Sequence, residues 1–190
     1  MFKKLMKSGA HILCLLCIMV WCPTCTQDSA LDNDPCFNIF TTTTTEDFVL
    51  SDVCELILGT CYLENDPVDV TIFNEVKHFN QGFSEALDVE FTNLDIYYVR
   101  TDDGSIVPPP ISREISWWIF IQGSSIFEFN IVTHDQKTLP PISNLRDLGY
   151  DPETGNYLIE ADGHVILTGY NRSGCKVRIE LNMPITFGDF

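Results

Sequence analysis

The chain has 190 residues, 45% hydrophobic and 20% charged, which suits one domain with its own core and is too apolar for general disorder. Twenty-seven acidic residues against eleven basic ones give a net charge of −16 at neutral pH. Such a surface repels phosphate backbones, so no nucleic-acid partner is expected.

The chain opens with Lys3, Lys4 and Lys7, then ten consecutive apolar residues from Ile12 to Trp21, then Cys22-Pro23-Thr24-Cys25. A basic start, a short apolar stretch and small residues behind it describe a signal peptide over 1–25. Ten residues rise about 15 Å as a helix, roughly half the hydrocarbon core of a bilayer, so a stable membrane span is not expected. A short signal anchor is the alternative. The segment also looks like a lipoprotein signal, with Cys25 the lipidation candidate and a membrane tether the consequence. Trp21 before Cys22 is too bulky for that processing, and ordinary cleavage near Thr24 or Thr26 is the other outcome. Either route places the protein outside the cytoplasm, secreted or anchored at the cell surface. Without the three leader lysines, eight basic residues face twenty-seven acids, a mature charge of about −19, which favours solubility and attracts cations.

Residues 26–46 read as a polar, threonine-rich spacer ending in Thr41–Thr45, with an edge strand as the other reading of that run. Residues 47–190 form the expected β domain. Outside the leader the cysteines are Cys36, Cys54, Cys61 and Cys175. In an oxidising compartment they imply two disulfides, with three pairings left open. Their spacing matches no zinc signature. On one regular element Cys54 and Cys61 would stand too far apart to bond, but a turn at Gly59-Thr60 brings them together.

Strand signals then follow in order. Val68, Val70 and Ile72 alternate with Asp69 and Thr71, the period of a half-buried strand. Two runs, 86–91 and 95–100, are expected on either side of Thr92-Asn93-Leu94, with a turn at 101–105 and a loop at Pro108-Pro109-Pro110. Residues 113–134 read as a hairpin turning at Gly123-Ser124, with Ile115, Trp117, Ile119 and Ile121 on one face and Ser116, Trp118 and Phe120 on the other. One helical turn is expected over 143–148 and a turn over 151–155. Residues 157–160 and 164–167 read as strands joined through Asp162-Gly163, a pair suited to a tight hairpin. After a turn at 171–174, Cys175, Val177, Ile179 and Leu181 face inward and Lys176, Arg178 and Glu180 outward. Eight or nine short strands with Gly/Pro turns predict an all-β, antiparallel β-sandwich with little helix; a lipocalin-like antiparallel barrel is the alternative. Cys61, Trp117 and Cys175 are too widely spaced for an immunoglobulin domain.

No catalytic motif emerges. There is no Gly-x-Ser-x-Gly elbow and no phosphate-cradling glycine loop. His78, His134 and His164 are distant from one another, and a three-histidine metal site is not favoured. Acidic turns offer hard oxygen ligands at Asp66, Asp69, Asp151 and Glu153, a weak case for calcium, since Asp also forms turns; no other cofactor is expected. Adjacent aromatic residues on a strand point to opposite faces, so Trp118 or Tyr98 is a candidate to stack on a sugar or anchor a protein. Asn171 begins a glycosylation triplet in a turn. The expected function is a non-enzymatic, extracytoplasmic β-sandwich serving as a binding or structural module for a glycan or protein. The alternatives are an apolar-ligand carrier and a secreted hydrolase.

Overall fold

The alternation of apolar and polar side chains governs most of the backbone. The structure, a computed structural model, describes residues 39–44, 48–76 and 85–190. The expected signal segment, Cys25, Cys36 and His78 lie outside the described residues. Ten strands form among the described residues: β1 (Ile39–Thr44), β2 (Val49–Asp52), β3 (Glu55–Ile57), β4 (Thr60–Tyr62), β5 (Asp66–Val76), β6 (Val89–Arg100), β7 (Ile111–Ile119), β8 (Gly123–Val132), β9 (Ile159–Asn171) and β10 (Lys176–Gly188). Among the described residues helix is confined to a 3-10 turn at Glu85–Leu87, α1 (His134–Lys137) and α2 (Ile142–Leu148). The protein is all-β with little helix.

The strands form a five-stranded sheet, β2-β10-β9-β6-β7, a three-stranded sheet, β1-β5-β8, and the separate β3-β4 hairpin. Every pairing is antiparallel except β2 beside β10. β1 lies inside the stretch read as spacer, and Thr41–Thr44 take the edge-strand alternative there, paired with Asn74 to Thr71.

Three expected connections differ. Residues 113–134 hold two consecutive strands that do not pair: β7 joins β6 and β8 joins β5. The link between them crosses from one sheet to the other. It is held by Gln122 N–H donating to the Asn74 carbonyl at 2.7 Å and Ile121 N–H donating to Asp88 Oδ1 at 2.9 Å. The runs at 86–91 and 95–100 belong mostly to one strand, β6, which passes Thr92 with a bulge. Asp162-Gly163 is no turn either, because β9 runs straight through it. A Cβ at Gly163 would stand 2.8 Å from Ile185 Cδ1 and 3.3 Å from Ile131 Cδ1. Glycine leaves room there for the side-chain ends of Ile185 on β10 and Ile131 on β8.

The inward positions meet in one core. Val68, Val70 and Ile72 of β5 and Phe129 and Ile131 of β8 are buried together with Phe91 and Ile96 of β6, Val165 and Leu167 of β9, and Ile179, Met183 and Phe187 of β10. Trp117 packs between Phe91 and Phe127, with ring centroids 5.7 and 4.6 Å away. Tyr98 Oη donates to the Ile131 carbonyl at 2.6 Å and accepts from Gln136 Nε2 at 2.9 Å. Gln136 also completes the capping box of α1 with Thr133. On the same helix buried Lys137 donates to Asp66 at 2.8 Å and to the Asp52 carbonyl at 2.7 Å.

Candidate functional site

The most organised polar arrangement starts at Arg100, the last residue of β6. Alternation along the strand turns its side chain inward, where it is 1% exposed. Its guanidinium binds Asp102 through Nε at 2.5 Å and Nη2 at 2.6 Å, and Asp151 through Nη2 at 2.8 Å. Glu153 stands 3.7 Å away. One cation therefore ties the turn after β6 to the 151–156 turn. Burial alone would raise the Asp102 carboxyl pKa. Hydrogen bonds from Arg100 and from the Gly104 and Glu160 N–H groups outweigh it, and the pKa is lowered. Asp151 follows the same balance, burial against bonds from Arg100, the Glu153 N–H and the Thr154 hydroxyl. Glu153 is lowered by the Ser105 hydroxyl and the Ile106 N–H.

Above this clamp lies a groove of about 350 Å³ lined by Asp102, Asn156, Tyr157, Leu158 and Glu160. The Tyr157 ring is 78% exposed. An open aromatic ring offers its face to an apolar surface, while carboxylate and amide groups accept and donate hydrogen bonds beside it. Among the described residues no lysine or arginine lines the groove, so the lining suits a neutral hydroxylated ring better than an anion.

Outward positions of the five-stranded sheet carry further rings. Tyr97 is exposed and stacks on His164, centroids 4.8 Å apart. Trp118 lies opposite Glu90, which lies opposite Tyr170, so both rings flank one carboxylate. Trp118 is 38% exposed, and Arg172 sits over it at 5.4 Å while pairing with Asp88 at 3.0 Å. That guanidinium covers part of the ring a ligand would use.

Other sequence candidates fall elsewhere. Tyr98 is buried and doubly hydrogen-bonded, so the exposed ring of that pair is Tyr97; opposite-face geometry was right, but the side was not decided by it. Asp66 is held by Lys137 and accepts from Ser51 at 2.5 Å, while Asp69 lies on the exposed face of β5 opposite Glu128. Asp151 and Glu153 belong to the Arg100 clamp. The cation beside Asp66, Asp151 and Glu153 is thus a side chain of the protein, and the described residues contain no group of three metal-ligating side chains. His134 Nδ1 lies 3.0 Å from the Leu63 carbonyl, and His164 belongs to the Tyr97 stack. Asn171 does not suit glycosylation in the folded chain. Its Oδ1 accepts from Cys175 N–H at 2.8 Å and its Nδ2 is buried, because the side chain holds the β9–β10 turn.

Cys54 and Cys61 form a disulfide, brought together by the turn at 58–59. Cys175 is disulfide-bonded as well. Tyr157, Asn156, Glu160 and Arg100 were not singled out from sequence. The only signal was a lone arginine closing an apolar strand just before Asp102-Asp103.

These features define an all-β protein with a polar, ring-bearing sheet face and a groove at one end of it. No family model and no curated relative matches the chain. Among solved structures it is similar to the sporulation control protein Spo0M from Bacillus subtilis, with 11% identity over 78% of this chain and a TM-score of 0.36. The chain spans about half of that one, 49%.

Proposed function

We propose that this chain is an extracytoplasmic, non-enzymatic β-sandwich protein, a secreted or cell-surface binding module that takes a neutral sugar in the groove beside Tyr157. The observation that carries the reading is the groove lining: one open aromatic ring with Asp102, Asn156 and Glu160 around it and, among the described residues, no cation. The ring supplies an apolar platform, Glu160 accepts from hydroxyls and the Asn156 amide accepts or donates, while Asp102 is already bonded to Arg100. The basic residues Lys3, Lys4 and Lys7 followed by the apolar run Ile12 to Trp21, the pattern expected of an export signal, support the location.

The sandwich reading is supported by the core shared between the five- and three-stranded sheets. A partly open barrel is the alternative arrangement, favoured by the β7–β8 link that passes directly from one sheet to the other. With Cys54 and Cys61 joined, two disulfides among the four mature cysteines leave Cys36 for Cys175.

A glycan-array screen of the purified protein, with and without calcium, tests the function. Binding that survives calcium chelation and weakens at least tenfold in Tyr157→Ala is expected, with folding unchanged because the ring is so exposed. No bound glycan would end the sugar reading. Cleavage of the array sugars would move the protein to the hydrolase class.

A further inference from the structure

We propose that the β3–β4 hairpin is a rigid apolar finger that inserts Leu58 and Ile57 into a lipid surface with neutral headgroups. Among the described residues β3 and β4 pair with each other alone, in the register Glu55↔Tyr62, Leu56↔Cys61, Ile57↔Thr60. Leu58 (φ 52°) and Gly59 (φ 78°) join them, both in the left-handed region. A two-residue turn with two positive φ angles suits a hairpin, and it selects Asn, Asp or Gly. A leucine there is strained, because its Cβ crowds the neighbouring carbonyl. Leu58 is also fully exposed, so no packing inside the chain offsets the strain. Strain with no internal compensation points to a contact outside the chain.

The finger is built to hold its shape. Cys54 belongs to the core and is bonded to Cys61, with Cα atoms 5.3 Å apart. A tip already fixed loses little conformational entropy on insertion. From Leu56 to Gly59 there is no polar side chain. Ile57 and the exposed Tyr62 share a face of the hairpin, with Tyr62 roughly 7 Å nearer the base, where a ring bearing a hydroxyl suits the headgroup layer. Glu55 and Glu64 place negative charge behind the tip. Together with the net charge of −16 they limit depth and reject anionic headgroups. A second copy is a poor occupant, because a hairpin tip falls far short of the roughly 1,000 Å² of a stable interface and the acids repel.

The inference rests on the extracytoplasmic reading and is independent of the groove. The test uses the full chain carrying Leu58→Trp, mixed with phosphatidylcholine vesicles whose acyl chains are brominated. Emission of the added indole, taken as the difference from wild type, is expected to shift to the blue and be quenched. Quenching is weaker when half the lipid is phosphatidylglycerol. Leu58→Asn, which the turn favours, is expected to melt no lower than wild type. In a Tyr62→Trp background it weakens the quenching response to lipid roughly tenfold or more. An unquenched indole, stronger quenching on the anionic vesicles, or a lower melting temperature for Leu58→Asn overturns the proposal, and a tip seated in a protein pocket would give the first of these. Recovery of cytosolic protein with an intact leader would sink the compartment reading and leave the tip measurement standing.

Discussion

Replacing Arg100 with methionine keeps most of the buried stem and removes the charge that three carboxylates surround. Asp151 is the group that suffers, since its side chain is 1% exposed and among the described residues its cation is Arg100. Breaking a buried pair from one side costs about 3–5 kcal/mol, because the remaining charge is left in a poor solvent. In a domain of this size that is a fall in melting temperature of about 6–20 °C. The pH dependence gives the sharper test. In wild type the Asp102 and Asp151 pKa values are lowered below the unfolded value of about 3.9. Their contribution is present above that value and is lost as pH falls through the folded values. In Arg100→Met, burial without a cation raises the Asp151 pKa instead. The variant then regains stability as pH falls from 7 towards 5, while wild type does not. Thermal unfolding by circular dichroism between pH 4 and 8 measures both, and Arg100→Met/Asp151→Asn is expected to recover part of the loss at pH 7. A fall under 2 °C, or parallel pH profiles, would refute the clamp.

Tyr98→Phe removes the hydroxyl that binds the Ile131 carbonyl and Gln136 and is expected to cost about 1–2 kcal/mol in urea unfolding. Burial pushes the Tyr98 pKa up to about 12, so the stability it adds is whole below about pH 10 and is lost as pH rises towards 12. Tyr98→Phe melts should be flatter than wild type across that alkaline window. Gly163→Val drives a branched side chain against Ile185 and Ile131 and is expected to cost about 1–3 kcal/mol or more; a melting temperature within 1 °C of wild type would contradict the close approach. Mass spectrometry of an unreduced digest should recover Cys54 linked to Cys61 and Cys36 linked to Cys175, and any crossed pair would break that assignment.

How much of this was legible depended on how local the cause was. The period of two over Val68–Ile72 and Cys175–Leu181 placed the buried faces correctly, because a strand's side chains alternate whatever the strand pairs with. The helix near 143–148, the turn at 171–174 and the closeness of Cys54 to Cys61 were equally readable from a few adjacent residues. Asp162-Gly163 misled because glycine serves both turns and crowded strands, and only the approach of Ile131 and Ile185 distinguishes the two. The 113–134 hairpin misled for a related reason: two strands in sequence bond to different neighbours when Asn74 and Asp88 hold the link between sheets.

The groove and its clamp are decided by partners far apart in the chain. Arg100 meets Asp151 fifty-one residues away, and Tyr98 meets the Ile131 carbonyl across thirty-three. By itself the sequence determined an acidic, all-β chain, its inward faces and its turn-closed cysteine pair, because short-range sterics and solvent preference act residue by residue. Which strands pair, which of Tyr97 and Tyr98 meets solvent, and which carboxylates lose their freedom to a cation were settled by tertiary structure alone. Those outcomes depend on the sum of burial and charge at points where distant segments meet.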